Sequence, residues 1–475
     1  MKLPELKFWA FFGIIWSTTF VSASIVDDII DAPENAVDCA SCHSLLAALQ
    51  DPARRGDSIF SDIYICAQDH ECMDKICIAL LVQDDDVCEG MISRQGPIVA
   101  HDLREIKSSG QTATKLCAAL LGLCQPPDIN PFTVSFPRLT PLHPKKFISR
   151  GRTPFQVVHF SGVHIDRQYT VTRSQVCCRN YPDHTGPIIT PAGPFGSRLC
   201  DTPTPLIHES SPVDAFPRNT TDGISNQWLF DAENEGWSEW LDSVALDQVI
   251  HMSGSYSRVV PGTNLRIISL NDIYWYKHNF WLYDDDEQQP DPNGILAFTR
   301  VWIIAHVPLG HSDALYDQSN CFNQIVQRYH NTIAGQFYGH THKDRFAVGY
   351  SDYAHQSAAT ANSIGWIAPS ITPREANSAF KVYDVDPDTY EIMDAKVFVS
   401  DLADPTFQTN RLRAKESLNP AFWHKVTEAF ATNDTAFQMY RMFEKRGTGV
   451  TACDADCKTG VICQLRALRS KNNCV

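Results

Sequence analysis

A basic surplus is the first thing this chain lacks. Its 40 lysines and arginines face 55 aspartates and glutamates, a net charge of −15, which argues against a nucleic-acid partner, since phosphate backbones are bound by basic surfaces. Long apolar runs are scarce as well. Beyond the N-terminus no segment is long and apolar enough to cross a bilayer. Disorder is argued against too, because 43% hydrophobic and 20% charged content are those of a globular chain. A length of 475 residues sets a prior of roughly two to four domains.

What is present begins with a leader. MKLPELKFWAFFGIIWSTTFVSAS places Lys2 and Lys7 before an apolar stretch, Phe8 to Trp16, and offers Val21-Ser22-Ala23 as a small-residue cleavage site. Residues 1–23 therefore read as a secretory signal, and the expected location is secreted or extracellular, or a lysosome-like vacuole. In such a chain the 16 cysteines read as disulfides and not as a thiol–metal site. Asn219 (NTT) and Asn433 (NDT) are glycosylation sequons.

Cysteines also divide the chain. Eight fall between Cys39 and Cys124, in a segment with helical apolar patterning (SLLAAL, ICIALLV, KLCAALLGLC); pairing Cys39 and Cys42 with Cys117 and Cys124 would staple the first helix to the last. Residues 125–146 are proline-rich (QPPDINPF, FPRLTPLHPKK) and read as a semi-rigid, extended linker. From about 147 to 398, β-type runs such as FQVVHFS, LRIISLN, ILAFTRVWIIAH, GQFYGH and FKVYDVD alternate with helical stretches such as CFNQIVQRYHNTIA. That alternation predicts an α/β sandwich. The tail, 399–475, reads as helical (PAFWHKVTEAFATNDTAFQMYRMFEK) and closes with two local bridges, Cys453–Cys457 and Cys463–Cys474.

Four histidines stand at strand ends: His164 in VVHFSGVH, His306 in WIIAH, and His340 and His342 in FYGHTH. Loops that follow strands carry the chemistry of α/β folds, and imidazole is a common ligand of zinc. A metal site is the expectation. Pro308 and Gly310 in HVPLGH suit a tight loop that turns ligands inward.

At these residues the chain resembles the calcineurin-like metallophosphoesterases, and more narrowly the acid sphingomyelinases. SGVHIDRQY, CDTP, HESSPVDAFP, HNFWL, IIAHVPLGH, QFYGHTHKDRF, IAPSITP and the terminal cysteines carry the resemblance over nearly the whole chain after the leader. It implies a multidomain α+β protein. A helical saposin-type domain (35–128) and a linker (129–150) would precede a four-layer α/β/β/α metallophosphoesterase sandwich (151–398), followed by a helical, disulfide-bonded region (399–475). It implies the bridges Cys39–Cys124, Cys42–Cys117, Cys77–Cys88 and Cys178–Cys200, leaves Cys66–Cys72 as a local extra pair, and settles nothing for Cys177 and Cys321. It implies two zinc ions, one on His164 and His342 and the other on His306 and His340, with His208 protonating the leaving group. The implied reaction is cleavage of sphingomyelin, at a membrane surface, to ceramide and phosphocholine.

Three departures cut into that site. The aspartate of an Asp-x-His motif is replaced by Gly162, with Asp166 a conceivable substitute two residues past His164. The asparagine of an Asn-His-Glu motif is replaced by Ile207. No Gly-Asp motif lies between CDTP and HESSPVDAF, which are joined by Thr204-Pro205-Leu206-Ile207 alone, whereas a βαβ unit takes roughly 30 residues. Without the bridging carboxylate two dications repel, so at most one zinc is expected, and a missing strand pair predicts open sheet edges. The expected function is a zinc-dependent sphingomyelin phosphodiesterase of doubtful activity. A catalytically degenerate lipid-binding homologue is one alternative, and a phosphodiesterase on another phospholipid or a nucleotide is the other.

Overall fold

The computed structural model describes residues 38–54, 98–119, 122–136, 147–166, 169–171, 202–203, 227–283, 301–373, 376–400, 407–412 and 418–474. The leader, Cys66–Cys72, Cys77–Cys88, Cys178–Cys200, His208 and Asn219 lie outside the described residues. The chain forms two compact units.

The first unit comprises Met1–Asn130, Val213–Ile224 and Tyr274–Pro292. Its helix α1, Cys39–Arg54, buries Cys42, Leu45, Leu46, Leu49 and Ala53, a spacing of three and four residues that keeps one stripe facing inward. Helix α2, Gln111–Ala119, buries Leu116 and Cys117. The bridges Cys39–Cys124 and Cys42–Cys117 tie the two ends together as the spacing suggested. Between them, Gln50 donates to the carbonyls of Leu103 and Ile106 at 2.9 and 2.6 Å, satisfying groups left open where residues 98–105 end their helix. The distant HNFWL stretch also belongs here: Phe280, Trp281 and Tyr283 are buried, and the Trp281 ring stands 5.2 Å from that of His101.

The second unit holds two sheets. Strands β1 (Phe155–His159), β10 (Ser378–Val385), β11 (Ile392–Ser400) and β12 (Phe407–Leu412) form an antiparallel sheet in that order. A two-residue parallel pair, β2 (Ile165–Asp166) with β3 (Thr202–Pro203), stands apart. The larger sheet runs β4 (Tyr256–Val259), β5 (Arg266–Ser269), β6 (Val301–Ile304), β7 (Ile333–Tyr338), β9 (Ala361–Ile367), β8 (Arg345–Tyr350). Within it β5, β6, β7 and β9 are parallel neighbours. The edge strand β8, antiparallel to β9, is buried along its whole length. Aromatic rings hold this core: Tyr383 lies 5.5 Å from Phe337 and 5.4 Å from Trp366, and Trp423 lies 4.1 Å from Phe346.

Two expectations are corrected. The tail is not helical from its start, because β11 runs through residue 398 and β12 follows, pairing Ala395–Ser400 with Phe407–Leu412. Helices α4 (Pro420–Thr432), α5 (Asp434–Glu444) and α6 (Ala455–Leu465) come only after that hairpin. The proline-rich segment is not simply a spacer either. Gln324 of helix α3 (Tyr316–Tyr329) accepts from the Val134 backbone at 3.1 Å and donates to the Phe132 carbonyl at 2.9 Å, which fixes the segment to that helix.

Among the described residues β1 pairs only with β10, and Val158 and Phe160 are 49% and 58% exposed. A cleft of about 540 Å³ lies beside it, lined by Val157, Phe160, Ile267, Trp302, Ile304 and Phe337.

Candidate metal centre

The parallel strands deliver the histidines to one place. β5, β6, β7 and β9 end together, and their ladder continues past them: Leu270 N–H to the Ile304 carbonyl, Ala305 N–H to Phe337, Gly339 N–H to His306, Ala368 N–H to Tyr338. The site thus sits at the carboxyl ends of a parallel sheet, where such folds place their chemistry. His306 follows β6, and His340 and His342 follow β7. Both histidines of GHTH have left-handed backbones, with φ of +66° and +55°. A non-glycine residue there costs about 1–3 kcal/mol, and the tight Thr341 N–H to Gly339 carbonyl turn of 2.7 Å holds it.

His164 arrives from the other sheet. Ser161 and Gly162, just past β1, accept from Ile371 and Thr372 N–H at 2.9 and 3.0 Å, and the His164 N–H donates to Thr372 Oγ1 at 2.7 Å. Arg446 holds the far side by donating to the carbonyls of Ser370, Thr372 and Asn377.

These contacts place His164 Nε2 3.2 Å from His342 Nε2. The His306 and His340 rings are 5.3 Å apart, centre to centre. Burial, then His340 and His164, pulls His306 down to about 4, and burial, then His164 and Arg446, pulls His342 down to about 3. Both are therefore neutral imidazoles at ordinary pH, the form that binds metal.

Zinc bonded to nitrogen at about 2.0–2.1 Å in a tetrahedron keeps its ligand atoms about 3.3 Å apart. His164 and His342 meet that spacing. Among the described residues, however, no Asp, Glu, Cys or further His joins them as a third ligand. Gly162 is the reason on one side. A Cβ at that position would fall 2.5 Å from Ser370 Oγ, on a backbone with φ of +55°. The two-zinc centre implied by the resemblance therefore does not fit the described residues. The Asp166 side chain lies outside them, as does His208.

Two carboxylates here, Asp313 and Asp272, were not singled out from the sequence. His340 Nε2 lies 2.6 Å from Asp313 Oδ2, and His311 Nδ1 lies 3.3 Å from the same oxygen. Behind them, buried Asp272 accepts the Val307 N–H at 2.6 Å and so fixes the turn after β6. His311 was visible in HVPLGH, but nothing in the spacing of SDALYD distinguishes Asp313 from a surface acid.

No family model matches the chain. "Sphingomyelin phosphodiesterase 2" of Caenorhabditis elegans is 27% identical over 517 residues, covering 83% of this chain and 82% of the relative. That alignment is longer than the 475 residues present here, so stretches of the relative face gaps in this chain. "Sphingomyelin phosphodiesterase" of Bos taurus is 30% identical over 55% of this chain and 45% of its own length. "Cyclic GMP-AMP phosphodiesterase SMPDL3A" of Homo sapiens is 24% identical over 67% of this chain and 90% of the relative. The chain thus spans less than half the length of the bovine relative and most of the length of the other two.

Proposed function

The chain belongs to the acid sphingomyelinase family of phosphoric diester hydrolases, and from that premise we propose that it engages sphingomyelin-class phospholipid while turning over the phosphodiester far more slowly than an intact two-zinc centre would. The observation that carries this reading is the contact of Gly162 with Ser370, which fills the space where the aspartate of Asp-x-His would stand. Bound zinc lowers the pKa of its water and neutralises phosphodiester oxygens. Two such ions need shared carboxylates, and the described residues offer none to the histidine pair His164 and His342.

Lipid engagement is assigned to the helices of the saposin-type region, here the disulfide-stapled first unit. The exposed apolar edge at Val158 and Phe160 adds to it. His208 keeps its proposed role as proton donor to the leaving alkoxide, with less to do when attack is impaired. The sequence leader assigns the chain to an exported compartment.

The test combines three measurements on the purified chain: co-sedimentation with sphingomyelin vesicles, zinc content, and phosphocholine release at acidic pH. The expected result is vesicle binding with at most one zinc and release at background. Two zincs with turnover would overturn the proposal, as would failure to bind the vesicles. A second reading, hydrolysis of a nucleotide phosphodiester, is favoured by the coverage of 90% of the human cyclic-dinucleotide phosphodiesterase. Release of nucleotide from a cyclic dinucleotide, with none of phosphocholine, would select it.

A further inference from the structure

We propose that His311, Asp313 and His340 hold one divalent transition-metal ion of the zinc class, at a site displaced from the histidine pair His164 and His342. The proposal goes beyond the phosphodiesterase reading and stands whether or not the chain turns over any substrate.

The donor set is the first argument. One ligand atom from each of the three residues lies within 4.8 Å of the others. Two imidazoles and a carboxylate are the ligands of a catalytic-type zinc site, with room for solvent in the fourth position. The spacing is the second. His311 Nδ1 and Asp313 Oδ2, 3.3 Å apart, already stand at the separation of about 3.3 Å that tetrahedral zinc imposes. His340 Nε2 and Asp313 Oδ2 are hydrogen-bonded at 2.6 Å. A cation bound by both needs that gap to widen by about 0.7 Å to reach the same spacing.

Preorganisation is the third argument. The loop bearing His311 and Asp313 is tied at both ends to rigid structure. His311 N–H donates to the Pro308 carbonyl at 2.8 Å, and Ala314 N–H to the His311 carbonyl at 3.0 Å. Gly310 lies so close to the C-terminal segment that a Cβ there would fall 1.6 Å from the Ala467 carbonyl oxygen. Asn473 donates to the Gly310 carbonyl at 2.6 Å and Ser319 to that of Leu309 at 2.7 Å, with Cys463–Cys474 closing the segment behind them. His340 is fixed independently by its left-handed backbone.

The side chains are 26%, 19% and 16% exposed for His311, Asp313 and His340, open enough for a cation to enter. By contrast, the other clustered triplet, Cys39, His43 and Cys124, has both sulfurs bound in one disulfide and offers no thiolate. Asp313 thus gives this second site a carboxylate, which the pair His164 and His342 does not have among the described residues.

The test strips the whole secreted chain of metal and titrates it with Zn2+ and with Co2+, reading stoichiometry by elemental analysis and geometry by the visible absorption of bound cobalt. Asp313→Asn and His311→Gln are each expected to weaken the ion by more than the 10–100-fold typical of an outer partner's loss, and to abolish the tetrahedral cobalt bands. His164→Ala is expected to leave one ion bound. Circular dichroism of each variant shows whether it has folded; an unfolded Asp313→Asn is replaced in the comparison by His311→Gln, whose side chain keeps a polar end. A folded variant of either kind that binds metal as the parent does overturns the proposal, and so does loss of all metal on His164→Ala.

Discussion

Gly162 and Ser370 occupy each other's space. Ser370 Oγ donates to the Gly162 carbonyl at 2.7 Å and lies 2.5 Å from where a Cβ at 162 would be. Position 162 therefore has no room for a larger side chain by substitution alone, since Ser370 already stands where its Cβ would be.

Gly162→Asp is accordingly expected to destabilise the chain. The left-handed backbone alone costs a non-glycine residue about 1–3 kcal/mol, and displacement of Ser370 adds to it. Paired with Ser370→Gly, the clash with Ser370 disappears, and the backbone part and the 3.0 Å approach to His342 Cδ2 remain. Thermal melts of the single and double variants would check this, with zinc content measured alongside; an unchanged melting temperature for Gly162→Asp would refute it.

Glu233 makes stability depend on pH. Its Oε2 sits against Gly254 beside Phe230 and finds no hydrogen-bond partner among the described residues, and burial raises its pKa from 4.5 to about 7. Below the lower value the carboxyl is protonated in both folded and unfolded chains and costs nothing. As pH rises towards 7, the unfolded chain gives up its proton while the folded one keeps it, so stability falls; above 7 the cost is constant. Glu233→Gln should match the parent at pH 4 and exceed it at pH 8 by about 1–2 kcal/mol, the raw shift being discounted because part of the carboxylate stays wet. Denaturant titrations at the two pH values would measure the difference, and a variant equally improved at both would contradict the assignment.

The β1 edge carries a prediction about solubility. Phe160 is exposed next to a strand with one free side among the described residues, the arrangement that invites edge-to-edge pairing. Phe160→Lys should lower self-association on concentration, seen by light scattering, and should cost about 0.5–1.5 kcal/mol for the lost contact with the Phe380 ring 5.3 Å away. Unchanged scattering would show that the edge is covered.

Much of the architecture was legible because it depends on short-range pattern. The stripe Cys42, Leu45, Leu49, Ala53 faces one way on any helix, so the staples to Cys117 and Cys124 followed from spacing and resemblance. Strand ends were readable as apolar runs that stop at histidine. The hairpin into β12 was missed: β11 crosses residue 398, where the helical region was drawn, and FQTNRL is too short to outweigh the helical run after it.

What the sequence determined by itself is therefore its inventory: histidines at the ends of apolar runs, and a glycine at 162. Tertiary structure alone decided how they are partnered. It brought His340 to Asp313, 27 residues earlier, and His164 to His342 across 178 residues, and it set Ser370 against Gly162. Contacts of that kind depend on where whole sheets end in space, and local periodicity carries no record of that.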